Sequence, residues 1–126
     1  MQRRELNAPE APPVGAYAQV VEVSGVTRTV YISGQVASDA NGKVPEDFAA
    51  QCRLVLANLQ AQLRAVGMSL DNIVKLTTIM PDLANLGELR SIRGEVMGNR
   101  KHASTLIVAG LASPAYKVEI EAIACA

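Results

Sequence analysis

Hydrophobic and polar residues alternate along the chain with two periods, and each period predicts one kind of element. A period of two indicates strands, whereas apolar residues at steps of three and four indicate helices. The predicted order is strand, strand, helix, strand, helix, strand, strand, over residues 16–23, 28–36, 45–66, 72–80, 82–98, 103–109 and 116–124. This β-β-α-β-α-β-β order predicts an α+β fold with two helices on one face of a mixed sheet.

The longer predicted helix has the most regular pattern in the chain. Its apolar stripe consists of Phe48, Cys52, Val55, Leu56, Leu59, Leu63 and Val66. Asp47 suits its positive N-terminal end. The second helix is expected to begin at Asp82 as its N-cap and to end at Gly98. Two interior glycines, Gly87 and Gly94, predict close packing of this helix against a neighbour.

The first two strands are separated by the turn-forming residues Ser-Gly-Val-Thr, which predicts that they form a hairpin. Residues 1–14 contain three prolines and predict an extended lead-in. The chain length supports one domain over residues 1–126. The helices cover one face of the sheet, and the strands are too apolar for the other face to be left in water. We therefore expect further copies of the chain to cover that face.

Composition narrows the classes of function. The net charge is zero and aromatic residues make up only 3% of the chain, which disfavours a nucleic-acid-binding surface. No stretch approaches the ~20 apolar residues of a membrane span, and the N-terminus lacks a secretory signal, so a cytoplasmic location is expected. Cys52 and Cys125 are far apart and have no CxxC spacing, so no metal site is predicted.

Glu119 and Glu121 lie on the same face of the last predicted strand. Two carboxylates about 7 Å apart can carry out acid–base chemistry if one of them is desolvated. The alternative is an exposed polar face that pairs with Lys117 or with a neighbouring strand, and this stretch alone favours the alternative.

Three cationic or titratable residues are further candidates. Arg90 and Arg93 fall within the apolar stripe of the second helix, where they would extend to solvent, form a structural ion pair or hold an anion. His102 is the only histidine, and it has no cysteine or serine partner that the sequence can identify.

At "YISGQVASDANGKVPEDFAAQCRLVLANLQAQLRAVGMSLDNIVKLTTIM" the chain resembles the RidA/YjgF family of enamine and imine deaminases, also called endoribonuclease L-PSP. "GAYAQ" at 15–19, "SGQ" at 33–35 and the terminal "VEIEAIA" extend the resemblance over nearly the whole chain. It implies a chorismate-mutase-like fold, a homotrimer whose three sheets line a barrel, and clefts between subunits that bind a small molecule. It implies neither a metal nor an organic cofactor.

The resemblance also implies a set of site residues. It makes Glu119 the catalytic group that handles water, and it assigns substrate binding to Tyr17, Ser33, Gly34 and Thr105. Two positions depart from the family pattern. Ala103 stands where the family has an arginine that holds the substrate carboxylate, and Arg90 stands where the family has an asparagine facing the cleft.

These departures leave three functions open. In the first, Arg90 replaces the missing arginine, assisted by Arg93 or His102, and the protein hydrolyses 2-imino acids other than the standard 2-aminoacrylate. In the second, the trimer is a non-enzymatic small-molecule-binding or regulatory module, as the alanine at 103 suggests. The third, a ribonuclease or translation inhibitor, is the weakest because of the neutral charge and the scarcity of aromatics.

Overall fold

The computed structural model describes all 126 residues, which form six strands and two α-helices. Their bounds are β1 Gln2–Leu6, β2 Val20–Ser24, β3 Thr29–Val36, α1 Phe48–Ala65, β4 Ile73–Met80, α2 Leu86–Met97, β5 Ala103–Val108 and β6 Glu119–Cys125. Four strands form a mixed sheet in the order β3-β6-β4-β5, while β1 and β2 form a separate antiparallel ribbon. The two helices pack on this mixed sheet, so the predicted α+β fold class is confirmed.

The core lies between the helices and one face of the sheet. Asp47 caps α1, since its side chain accepts a hydrogen bond from the Ala50 N–H at 3.0 Å. The apolar stripe of α1 packs against alternate residues of the strands, among them Leu76 and Ile120, which are fully buried. Burial raises the pKa of the Cys52 thiol to about 11, so this cysteine is a neutral core residue, as its helical position predicts.

The hairpin predicted for residues 16–23 and 28–36, which correspond to β2 and β3, is wrong. In the structure β2 pairs with β1, which lies inside the expected lead-in, and β3 pairs with β6. The ribbon carries an ion pair between Arg4 and Glu22 at 2.7 Å. Between β2 and β3, the backbone N–H groups of Thr27 and Arg28 donate to the Ala126 carbonyl at 2.9 and 3.0 Å, so the segment before β3 is joined to the residue that follows β6. Alternation therefore predicted a strand correctly but not its partner.

The ribbon lies across the end of the sheet where β4 and β5 begin. Arg3 donates a hydrogen bond to the backbone carbonyl of Ile73 at 2.7 Å. The Ala18 N–H donates to the His102 carbonyl at 3.1 Å, next to the first residue of β5. These contacts place the preceding residue, Tyr17, beside α2 and β5.

The second helix begins later than the sequence predicts. Asp82 caps a short 3-10 turn, Leu83–Asn85, by accepting from the Ala84 N–H at 2.9 Å, and α2 follows that turn. A Cβ atom added to Gly87 or Gly94 would meet no atom within 4 Å. The prediction of close packing at these glycines is therefore wrong, and Gly94 instead borders an open cavity.

Candidate functional site

A cavity of about 330 Å³ lies between α2 and β5, on the helix side of the sheet. Its walls come from α2, from the start of β5 and from the segment that precedes β2. Its polar lining residues are Tyr17, Arg90, Arg93, Arg100, His102 and Ser104. The fold thus brings together four residues that the sequence singled out, and we call this space the α2–β5 cavity.

Arg90 and Arg93 lie three residues apart on α2, which places them on the same side of the helix. Arg90 is exposed and Arg93 is half-buried. Neither takes part in any of the four ion pairs of the chain, so the structural ion pair considered above does not form within the protomer. Burial, and then the charge of Arg90, lower the pKa of Arg93. The cavity therefore contains two guanidinium groups without a protein counter-ion.

His102 forms part of the cavity wall and is only 4% exposed. Burial is the main cause that lowers its pKa to about 4, and the charges of Arg93, Arg3 and Lys75 lower it further. The imidazole is neutral at pH 7 and can donate or accept a hydrogen bond without adding charge. A role for His102 as an auxiliary site residue stays a prediction.

Two lining residues were missed by the sequence analysis. Arg100 lies between α2 and β5 in the sequence Asn-Arg-Lys at 99–101. Its Nε donates to Asp71 Oδ1 at 2.6 Å and its Nη1 donates to the Met97 carbonyl at 3.2 Å. Ser104 faces the helices because side chains alternate along β5, and alternation from Ala103 was the signal that would have identified it.

A second group of predicted residues gathers where β3 pairs with β6. The pairing register shifts between Ile32 and Gln35, and Ser33 and Gly34 lie within that irregularity. Glu119 lies directly over Gly34: a Cβ atom added there would be 2.7 Å from the glutamate Cδ. Glycine is thus required at position 34 for the Glu119 carboxylate to keep its position, and we call this pair the Gly34–Glu119 contact.

The two groups are separate within one chain. Glu119 of β6 and Ile107 of β5 both pair with the same residue of β4, Ile79. Ile107 is four residues beyond Ala103 along β5. The separation of Glu119 from Ala103 is therefore about 10 Å across two strands and about 13 Å along them. In addition, the side chains of Ala103 and Thr105 are on the helix-free face of the sheet, whereas Arg90 is on the helix side. One protomer does not combine Arg90 and Glu119 in a single site.

The helix-free face carries both polar and apolar side chains. Lys75 Nζ donates to Thr105 Oγ1 at 2.7 Å in its polar part, where Glu121 is exposed. Tyr31 is 77% exposed and Ile107 is 43% exposed on this face. Large apolar side chains are thus left in water in the single chain, and their coverage by further copies stays a prediction.

Comparison with known proteins places the chain among RidA-like proteins. The family model for endoribonuclease L-PSP matches residues 7–126. The 2-iminobutanoate/2-iminopropanoate deaminase of Rattus norvegicus is 35% identical over 126 residues, covering 97% of this chain and 89% of the rat protein. The Rid-family protein YyfB of Yersinia pestis has a TM-score of 0.86 and 35% identity, with 100% of both chains covered. RidA of Psychrobacter sp. PAMC 21119 has a TM-score of 0.74 and 30% identity, covering 98% and 99% of the two chains.

The chain contains no cluster of three or more histidine, cysteine, aspartate or glutamate side chains positioned to share a metal ion. None of its helices is both long enough and apolar enough to cross a membrane.

Proposed function

The chain belongs to the endoribonuclease L-PSP (RidA) family, and on that premise we propose that it hydrolyses small 2-imino acids to 2-keto acids and ammonia. Arg90 holds the substrate carboxylate in the α2–β5 cavity, and Glu119 of another copy positions the water. The observation that supports this most directly is the unpaired Arg90 guanidinium in a cavity that Tyr17 also lines.

The chemistry requires little from the protein. The imine carbon is already electrophilic, so water adds to it and forms a carbinolamine. The C–N bond then breaks, the water oxygen becomes the keto oxygen, and the nitrogen leaves as ammonia with both hydrogens of the water. A guanidinium forms two parallel hydrogen bonds with a carboxylate, which fixes the orientation of that carbon. A half-buried carboxylate such as Glu119 can accept the proton of the attacking water. Ser33, Gly34 and Thr105 belong to the face that the second copy would present.

A second copy is needed because Arg90 and Glu119 lie on opposite faces of one sheet. A homotrimer in which neighbouring sheets meet would cover Tyr31 and Ile107, which are exposed in the single chain. It would also leave clefts between subunits for a small-molecule ligand. No cofactor is assigned to this reaction, and a cytoplasmic location stays a prediction.

The test is release of keto acids from imines that an amino-acid oxidase generates in the presence of the protein. We expect the wild type to clear at least one imine faster than buffer, and Arg90→Ala and Glu119→Gln to lose that activity. Inactivity of the wild type toward every imine, or full activity of Arg90→Ala, would refute the proposal.

Mixing the two inactive variants tests whether the site is shared. Subunits are unfolded and refolded together at equal amounts, with each variant refolded alone as the control. If a site takes Arg90 from one copy and Glu119 from its neighbour, about one quarter of the sites in a cyclic oligomer are intact, and activity returns to about that fraction. If the mixture is as inactive as each variant alone, both residues act within one chain or not at all.

The second candidate function is a non-enzymatic binding module, which Ala103 favours because the usual carboxylate-binding arginine is absent. Calorimetry with 2-keto acids, combined with the imine assay, distinguishes this module from the hydrolase. Binding of keto acids without turnover of any imine supports the module, and turnover of an imine contradicts it. Ribonuclease activity is the weaker alternative, since the net charge of the chain is zero.

A further inference from the structure

The α2–β5 cavity contains more positive charge than a single carboxylate requires. We propose that it selects small acids that carry two anionic groups, with Arg90 holding the first and Arg93 the second. This inference deepens the proposed function and rests on it only in assuming that the substrate enters this cavity.

The charge balance of the cavity wall supports two anionic groups. Arg100 is already neutralised, because its Nε lies 2.6 Å from Asp71 Oδ1, and His102 is a neutral side chain at pH 7. Arg90 and Arg93 remain, and no carboxylate lines the cavity. Two like charges on neighbouring helix turns repel each other, and Arg93 is half-buried, so a second anionic group of the ligand would relieve both costs.

The rest of the cavity suits the part of such a ligand between its charges. Tyr17 Oη accepts a hydrogen bond from the Val14 N–H at 3.3 Å, which leaves the phenolic proton free to donate to a ligand. The Ser104 hydroxyl is also in the wall. Apolar lining comes from Leu86, Met97 and Leu106, which can contact a short hydrocarbon chain.

Calorimetry on the wild-type protein compares monocarboxylic keto acids with acids that carry a second anionic group. Pyruvate and 2-oxobutanoate form the first set, oxaloacetate and 2-oxoglutarate the second, and phosphoenolpyruvate provides a phosphate as the second anion. One additional charged hydrogen-bonded contact should tighten binding by about 10- to 100-fold. Tighter binding of the dicarboxylates alone, or of phosphoenolpyruvate alone, identifies the second group as carboxylate or phosphate. Equal affinity of all five acids overturns the inference.

Variants assign the second group to Arg93. Arg93→Met should weaken binding of the doubly anionic acid at least about 10-fold more than it weakens binding of a monocarboxylate, whereas Arg90→Met should weaken both by similar factors. Arg53→Met is the matched control, because it also removes one arginine near α2 but pairs with Glu95 outside the cavity. Equal effects of Arg53→Met and Arg93→Met, or no effect of Arg93→Met, would contradict the assignment. Thermal unfolding of each variant identifies loss of folding.

The two proposals fail separately. Selective binding of doubly anionic acids without turnover of any imine supports the inference about Arg93 and removes the proposed hydrolysis. Turnover of monocarboxylic imines, with no tighter binding of doubly anionic acids, supports the proposed hydrolysis and removes the inference about Arg93.

Discussion

Glycines lie at both candidate sites, but the space around them differs. A Cβ atom on Gly94 in the α2–β5 cavity would meet nothing within 4 Å, whereas one on Gly34 would be 2.9 Å from Glu119 Cγ and closer still to Cδ. Open space borders Gly94 in the cavity, and the exposed Arg90 side chain has no ion-pair partner in the chain. The Gly34–Glu119 contact depends instead on a side chain being absent. The first region should therefore tolerate substitution and adapt to different ligands, and the second should tolerate almost none.

The largest expected effect comes from adding a side chain at the Gly34–Glu119 contact. Gly34→Val should force the Glu119 side chain into another rotamer and lower the free energy of unfolding by about 1 kcal/mol, because the added atoms meet that half-buried side chain and no backbone atom. If the proposed hydrolysis is correct, keto-acid release should fall about 100-fold. Urea unfolding and the imine assay measure the two effects. A fully stable and active Gly34→Val protein would show that Glu119 can move at no cost.

The next largest effect is a loss of stability in acid that originates at the cavity wall. The pKa of His102 is about 4 in the folded chain and about 6.5 when unfolded, so the unfolded state binds the proton more readily. The contribution is fully present above pH 6.5 and is lost as the pH falls toward 4. Between pH 7.5 and pH 5 it amounts to about 2 kcal/mol. Urea unfolding should show this loss in the wild type and a smaller one in His102→Gln; equal slopes in both proteins would contradict the burial argument.

A smaller effect is expected in the core between the two regions. Thr78 of β4 is fully buried and its hydroxyl has no hydrogen-bond partner. Thr78→Val removes that unsatisfied group at nearly constant shape and should raise the free energy of unfolding by about 1 kcal/mol. Thr78→Ser keeps the hydroxyl and loses a methyl group, so it should be less stable than the wild type. If Thr78→Val is destabilising, the hydroxyl has a partner that the contacts do not reveal.

The smallest expected change in the free energy of unfolding comes from replacing the two glycines of α2. Gly87→Ala and Gly94→Ala should each stabilise α2 by about 0.5–1 kcal/mol, since neither added methyl group meets another atom. Only Gly94 borders the cavity, so a larger side chain should affect ligand binding at one position and not at the other. Gly94→Leu should weaken keto-acid binding, and Gly87→Leu should not. Equal binding by both leucine variants would place the ligand elsewhere.

Local periodicity was sufficient to predict much of the fold. The stripe from Phe48 to Leu63 correctly predicted the buried face of α1, and alternation in β6 correctly separated buried Ile120 from half-buried Glu119. The partner of β2 was not predictable, because the backbone bonds of Thr27 and Arg28 to Ala126 join positions about a hundred residues apart.

The candidate site was only partly predictable for a related reason. Helical spacing correctly placed Arg90 and Arg93 together, but it does not say which face of the sheet they approach. That relation depends on the register of β5 against β4 and β6, which no single stretch of sequence contains. The same dependence explains why Arg90 lies on the helix side of the sheet while the Ala103 side chain lies on the helix-free face.

The Gly34–Glu119 contact has a consequence for how related sequences can vary. Since no side chain at position 34 is compatible with the glutamate as it lies, the two positions are not free to change independently. A relative that carries alanine or a larger residue at 34 should hold a glutamate at 119 in another position or carry another residue there, and in both cases it should lack the water-handling chemistry proposed for this chain. The residue at position 34 would therefore divide hydrolytic from non-hydrolytic lineages more sharply than overall sequence identity does.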